Sequence, residues 1–336
     1  MKKVSIIIPV YNMKEWVESG IKCITEQTYE NLEIIIVDDG SKDNSYMKCL
    51  AEADKDRRIA VFSKNNEGPG AARNLALRKA TGDYIYFFDI DDYLEKNAIE
   101  KFVRYMENEN TDLVVCSFSM FDGEKVFRTV KKADGLKRTG GDARKDYYEH
   151  MFMYGERGIQ GAAWFKLYKT DIIRKNGIEF PKLRKSEDDV FVARYVNCID
   201  SFYMTGDVLC RYYVNSYKRF WDKYRFDIFD TSRQSTMYVK DIVLSWNRNN
   251  KDVLQRIYDD YFHKTFGSFC FLFNPNLKLN RKARYARLKE ITDIFMDDIS
   301  CDGIEINHPI FKCMKKKNYR AIYVRIVLHI WKHKFD

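Results

Sequence analysis

Leu32-Glu33-Ile34-Ile35-Ile36-Val37-Asp38-Asp39-Gly40-Ser41 carries an aliphatic, β-branched run straight into two carboxylates and a turn. Such a run suits a strand covered on both faces, as in a parallel sheet, and the Asp-Gly-Ser sequence halts it abruptly. The same design recurs outward from it. Upstream, Val4–Val10 is a second aliphatic run closing on Tyr11-Asn12, and residues 13–27 between the two carry helical spacing at Trp16, Ile21 and Ile24. Downstream, a helix is expected from about Asp43, with Ser41 or Asp43 as its cap. Ile59–Ser63 reads as a short strand, and Gly68-Pro69-Gly70 opens a helix through about Lys79. Residues 84–88 form the next strand, closing on Asp89-Ile90-Asp91-Asp92. A helix over about 95–108 and a strand over 112–118 continue the rhythm. Regular βαβ alternation predicts an α/β fold with a mostly parallel, doubly wound sheet flanked by helices.

The strands end, one after another, in polar residues: Tyr11-Asn12, Asp38-Asp39, and Asp89 with Asp91. In an open α/β sheet, ligands bind in the crevice beyond the carboxyl ends of the strands. Each Asp alone could be a helix cap, but together they are expected to converge on one site. Residues 120–220 are mixed in pattern, and from about Phe220 the sequence turns helical, aromatic and basic. A boundary is therefore placed near 220, giving domains 1–220 and 221–336.

Composition bounds the function classes. The 336 residues are 45% hydrophobic and 32% charged, the balance of a globular protein with a sizeable core. No apolar run approaches the roughly 20 residues that span a bilayer. Met1-Lys2-Lys3 and the run after it superficially resemble a signal peptide, yet the run lacks a small-residue cleavage site and reads as a buried strand. The 8 cysteines show no CxxC pair and read as buried thiols in a reducing compartment, which points to the cytoplasm. His329 and His333 share a helical face without a third ligand, so a surface role is expected. The net charge of +9 is uneven: from Asn307 onward there are eight Lys or Arg and one acid, Asp336. That asymmetry implies an anionic partner.

Asp89-Ile90-Asp91-Asp92 sets three carboxylates in four positions directly after an apolar strand. Like charges this close raise one another's pKa unless a cation compensates. Mg²⁺ or Mn²⁺ would supply it, held by one or two carboxylates plus substrate phosphate oxygens. The bland alternative is a solvated loop. Carboxylates at Asp38-Asp39 can accept from ribose hydroxyls or a base N–H, or simply shape a turn. Gly68-Pro69-Gly70-Ala71-Ala72-Arg73 matches GxG but has Arg73 at the third glycine position and follows the third strand, so dinucleotide binding is a poor reading. Arg73 at a helix N-terminus suits an anion or an Asp across the site. Ser186-Glu187-Asp188-Asp189 opens an amphipathic helix, where acids favour the dipole or supply a general base.

Taken together, VSIIIPVYNMKEWVE, ITEQTYENLEIIIVDDGSKDNS, NEGPGAARNLAL, GDYIYFFDIDD and SEDDVF closely resemble the inverting glycosyltransferases of family two, over roughly residues 1–215. Trp164-Phe165-Lys166-Leu167-Tyr168 resembles the WNKLY-type block of bacterial members that build capsules, exopolysaccharides and lipopolysaccharides, with Phe165 where Asn is common. The resemblance implies a GT-A, Rossmann-like catalytic domain, with nucleotide-sugar binding in about 1–118 and the acceptor side in about 119–220, followed by a mainly helical C-terminal extension. It implies that Pro9, Tyr11 and Asp39 surround the base of a nucleotide-sugar, a UDP-sugar, with Asp38 and Arg73 nearby. Asp89 would face the ribose beside Ile90, and Asp91 would bind Mn²⁺ or Mg²⁺ on the diphosphate. Asp188 would be the base and Glu187 its orienter, with Asp189 an unusual third acid that leaves a one-position shift of roles open. Asp92, Trp164, Lys166 and Arg219 are further candidates for acceptor or diphosphate contacts.

Inversion then follows from a single displacement by a glycan hydroxyl, the acceptor being a glycan or lipid-linked glycan. In the tail, Ile322, Ile326 and Ile330 lie four apart, as do Tyr323, Val327 and Trp331, with Arg325, His329 and Lys332 towards another face. Such a helix can lie in the interface of the inner membrane leaflet or pack on the protein. Nucleic-acid binding is disfavoured, since no recognisable module accompanies the charge. A sugar-1-phosphate nucleotidyltransferase and a catalytically silent glycan-binding subunit are the rival readings; the first lacks its usual Gly-rich basic loop after strand one.

Overall fold

The computed structural model describes residues 1–132, 134–141, 143–153, 161–183, 186–214, 228–246, 251–300 and 303–332. They form two compact units, Met1–Ser216 and Tyr217–Asp336. The first begins with β1 Val4–Val10, α1 Val17–Thr25, β2 Leu32–Asp38, α2 Ser45–Ala53, β3 Ile59–Ser63, α3 Pro69–Lys79 and β4 Tyr84–Phe87. Then come β5 Tyr93–Leu94, α4 Ala98–Asn108, β6 Leu113–Phe121, β7 Val126–Val130, β8 Leu136–Thr139 and α5 Ala143–Met153. It closes with β9 Lys166–Lys169, α6 Thr170–Lys175, α7 Glu187–Val196 and β10 Ser201–Tyr213.

The ten described strands make one sheet in the order β3-β2-β1-β4-β9-β6-β10-β5, with β7 on β6 and β8 on β10. The block β3-β2-β1-β4 is parallel, as the βαβ rhythm predicts, and so is β6 with β10. β9 runs antiparallel between β4 and β6, and β5, β7 and β8 are antiparallel as well. The sheet is thus mixed, because hydrophobic pattern reports burial but not strand direction.

Register opens the crevice. β1 pairs with β2 along its whole length, Val4↔Leu32 to Val10↔Asp38, but with β4 only from Val4↔Tyr84 to Ile7↔Phe87. Phe88 donates the last bond on that side, to the Ile7 carbonyl. Pro9, the next residue to face it, has no N–H to offer and is tolerated only because that ladder has ended. The turn carrying Asp89–Asp92 occupies the gap. Because β9 is antiparallel, the segment entering it (161–165) reaches the same edge, as do the carboxyl ends of β6 and β10.

The backbone of α1 touches this turn: a Cβ on Gly20 would stand 2.3 Å from the Ile90 carbonyl oxygen. Gly20→Ala is therefore expected to cost about 1–3 kcal/mol by overpacking. The cost is read by thermal denaturation. The seven described cysteines are free thiols, and Cys116 and Cys210 are both buried with their Sγ atoms 3.3 Å apart.

The second unit is helical: α8 Ile228–Trp246, α9 Lys251–Phe271, a 3-10 turn at Pro275–Leu277, α10 Arg281–Ile299, α11 Pro309–Lys315 and α12 Tyr319–Lys332. Its core gathers Tyr258, Tyr261, Phe262, Leu288, Phe295, Phe311, Met314, Ile322 and Ile326. The Asn280 side chain caps α10 by accepting from the Ala283 amide at 2.9 Å. Among the described residues, no helix is long and apolar enough to cross a membrane.

Candidate functional site: one arginine holding three carboxylates

Arg73 lies in the second turn of α3 and is 5% exposed. Its Nη2 donates to Asp89 Oδ1 at 2.8 Å, and its Nη1 donates to Glu187 Oε1 at 3.0 Å and Asp188 Oδ1 at 2.9 Å. The acidic turn after β4 and the first turn of α7, nearly a hundred residues apart, are thereby joined through one guanidinium. The neighbouring backbones are close: a Cβ on Gly70 would meet the Glu187 Cγ at 3.1 Å, so two helix N-termini face each other here. Both favour anions, which suits the acids of α7. The Arg73 guanidinium also lies over the Phe180 ring at 5.4 Å, and Asn74 clamps that residue by bonding both its carbonyl and its amide.

Charge does not balance within this cluster. One cation faces three carboxylates, and Asp91 and Asp92 stand alongside. Burial works against the Arg73 charge, but the surrounding carboxylates outweigh it and raise its pKa. Burial pushes the Asp188 carboxyl up to about 7 against the pull of Arg73, with the Glu187 and Asp89 charges adding to the rise. Burial likewise raises Asp92 well above the carboxylate range, helped by Asp89 and Asp91.

The two acids on Arg73 differ in access. The Glu187 side chain is 8% exposed and Asp188 is 19% exposed. Asp188 Oδ2 accepts from the Ala163 amide at 3.2 Å, so its second oxygen is also oriented by protein. Each carboxylate oxygen still has a second lone pair. Asp189 turns elsewhere, so close to Gly161 that a Cβ there would lie 1.8 Å from Asp189 Oδ1.

The donor-side candidates divide. Tyr11 is exposed and Pro9 partly buried at the crevice. Asp39 is 2% exposed and spends both oxygens on the loop before α3: Oδ2 accepts from the Gly68 amide at 2.7 Å, Oδ1 from the Glu67 amide and Lys64 Nζ at 3.1 Å each. Asp38 Oδ2 accepts from the Ser41 amide, whereas its buried Oδ1 has no protein partner. Ile90 is buried against Gly20, and Asp91 is partly buried.

Of the further candidates, Asp92 Oδ1 accepts from the Tyr213 amide at 2.9 Å, tying the end of β10 to the acidic turn, while its buried Oδ2 has no partner. Trp164 is buried and stacks on Tyr212, with ring centroids 5.3 Å apart and planes 10° apart. Lys166 is fully buried, its ammonium donating to the Ala162 carbonyl, and burial holds its pKa well below the usual range. Contact with an acceptor would require Lys166 to leave that seat. Arg219 lies outside the described residues. Ala163, Phe180 and Tyr213 join the site without any local sequence signal, since each arrives through the sheet's topology.

The donor set for a metal is hard oxygen, with more negative charge than Arg73 neutralises. Among the described residues no cluster of three ligating side chains exists. Asp91 would therefore hold a Mg²⁺ or Mn²⁺ ion only with a substrate's phosphate oxygens completing the shell, which is the usual mode for Mg²⁺.

Comparison with known proteins gives the family. The model of the family "Glycosyl transferase family 2" matches residues 5–175. A putative glycosyltransferase, EpsH, of Bacillus subtilis (strain 168) is 33% identical over 194 residues, covering 57% of this chain and 55% of that protein. A poly(ribitol-phosphate) beta-glucosyltransferase of Bacillus spizizenii is 30% identical over 194 residues, covering 56% of this chain and 28% of that protein. Residues 1–349 of S. aureus TarS in complex with UDP share the fold at a TM-score of 0.66 and 17% identity, covering 99% of this chain and 92% of that one. The mannosyltransferase PcManGT of Pyrobaculum calidifontis, in complex with GDP-Man and Mn²⁺, does so at 0.56 and 16% identity, covering 99% and 88%. The sheet flanked by helices is thus a GT-A fold, and the chain belongs to glycosyl transferase family 2.

Proposed function

We propose that this chain is an inverting glycosyltransferase that moves a sugar from a nucleotide-sugar, a UDP-sugar, to a glycan hydroxyl in surface-polysaccharide synthesis. The observation that carries the reading is the Arg73 cluster. It puts the acid of the acidic turn, Asp89, and a half-shielded carboxylate suited to general base, Asp188, on one guanidinium. The base and ribose would lie at the carboxyl ends of β1 and β2, near Tyr11, Pro9 and the partnerless Asp38 Oδ1. Asp39 would act there through the loop it holds.

In the reaction, Asp188 accepts the proton of the attacking hydroxyl while Glu187 and Arg73 fix its orientation. Attack comes opposite the departing nucleoside diphosphate, in one displacement, so the anomeric configuration inverts. A divalent ion at Asp91, when bound, neutralises charge on the diphosphate. Support for a UDP-sugar comes from TarS, solved with UDP and with UDP-GlcNAc, and support for a metal comes from the Mn²⁺ of PcManGT. A lipid-linked glycan acceptor would put the work on the inner face of the cell membrane.

The test is UDP release from UDP-sugars with and without Mn²⁺, using a mixed glycan acceptor panel. Wild type is expected to turn over with Mn²⁺, and Asp91→Ala to fall towards the metal-free rate. Metal-dependent UDP binding without turnover across the panel would sink the enzymatic reading in favour of a silent binding subunit.

A further inference from the structure

Helix α12 is apolar on two opposite faces, and among the described residues of its unit only one of them has a partner. Ile322 and Ile326 are fully buried, and Ile330 and Tyr323 pack beside them on the helical core. On the outward side, Val324 is 54% exposed, Val327 38%, Leu328 57% and Trp331 68%. Their 3-1-3 spacing lines them along a single stripe, since residues three and four apart share a helical face. Exposed apolar side chains scattered singly need no explanation, but a contiguous stripe ending in a Trp does.

Charge says what covers it. Arg320 lies at the head of the stripe and Arg325 and Lys332 along its edge, all exposed, and Lys316 and Lys317 sit exposed in the turn just before the helix. From Asn307 to Lys332 there is no acidic residue. An apolar strip whose own helix carries cations and no acid is complementary to a surface that is anionic outside and hydrocarbon beneath. Trp suits that boundary because its ring is apolar and its N–H seeks a polar partner. At 14 residues α12 is too short to span a bilayer, so it would lie in the interfacial plane.

We propose that the outward stripe of α12 docks the chain on an anionic phospholipid surface, with Val324, Leu328 and Trp331 inserted and Arg320, Arg325 and Lys332 on the headgroups. The inference extends the acceptor-side reading by naming a lipid surface. It does not depend on the transfer chemistry, because vesicle binding is read without donor or acceptor and can fail while UDP release succeeds.

The experiment is co-sedimentation of the full chain with vesicles of phosphatidylglycerol and phosphatidylcholine, against phosphatidylcholine alone. Wild type is expected to bind the anionic vesicles and to lose binding as salt is raised. Leu328→Ser with Trp331→Ser should lower the partition at least tenfold while leaving the thermal midpoint and UDP release in solution as in wild type. Arg320→Gln with Arg325→Gln and Lys332→Gln should abolish the preference for anionic lipid. Failure of wild type to bind anionic vesicles would overturn the proposal, as would binding that the serine variant retains. So would a wild-type dimer in sedimentation velocity that the serine variant dissolves without any vesicle binding, since the stripe would then belong to a second copy.

Discussion

Asp188→Asn is expected to lower kcat by about 10²- to 10⁴-fold, the usual contribution of a positioned general base, with UDP affinity nearly unchanged. Asparagine keeps the shape, but its one carbonyl oxygen can accept from only one of Arg73 and the Ala163 amide, so UDP affinity and thermal stability are measured alongside to separate the lost proton acceptor from lost orientation. The pH profile of the wild type adds a second reading. Asp188 must be unprotonated to act, and its carboxyl is pushed up to about 7. Activity should therefore climb as pH rises through about 7 and level off above it. Stability should run the other way. A carboxyl whose folded pKa is raised above its unfolded value keeps its proton only in the folded state between the two, so stability falls as pH rises across that window. Asp188→Asn removes this slope, so its stability relative to wild type should improve as pH rises from about 6 to 8. If Asp188→Asn stays within about tenfold of wild type while Glu187→Gln abolishes turnover, the base is Glu187, and the assigned roles shift by one position.

The parallel half of the sheet was legible because its strands are aliphatic runs of adequate length, each stopped by a polar turn. The run in β1 ends at Val10 and that in β2 at Asp38 for the same physical reason: the strands give out at the crevice edge. What the pattern could not supply was direction and distance. Lys-Leu-Tyr-Lys of β9 is four residues long, and its antiparallel place between β4 and β6 leaves no periodic mark. Yet that placement brings Ala163 to Asp188.

The acidic motifs were visible as costly clusters of like charge, and electrostatics alone asked for a compensating cation. The structure supplies part of the compensation from within, through Arg73. The family resemblance had set Arg73 near the nucleotide, while its place at a helix N-terminus suited any anion or an Asp across the site. Which anion it meets depends on Gly70 allowing α3 to approach α7, a contact across more than a hundred residues. Asp39 teaches the same point. A carboxylate at a strand end can receive a ligand or a loop amide, and only the fold reveals that Glu67 and Gly68 donate to it.

Arg73→Leu is expected to cost the first unit about 3–5 kcal/mol near pH 8, because it leaves buried carboxylates without their cation. Activity should disappear with it, since neither the acidic turn nor Asp188 keeps its orientation. The pH dependence separates this from simple loss of packing. Without the guanidinium, the buried Asp188 carboxyl holds its proton to still higher pH, so the folded variant keeps a proton that the unfolded chain does not. Its stability deficit against wild type should therefore shrink as pH falls from 8 towards 5.5, measured by thermal denaturation at each pH. Arg73→Lys should fall between the two in stability, because an ammonium on a flexible stem lacks the planar fork that reaches three carboxylates at once. Its kcat should drop more than its KM for donor changes, as expected of a residue that positions the base rather than touching substrate. A deficit for Arg73→Leu that stays constant across pH would mean the arginine contributes shape and not charge, and the charge-imbalance account of the site would fail with it.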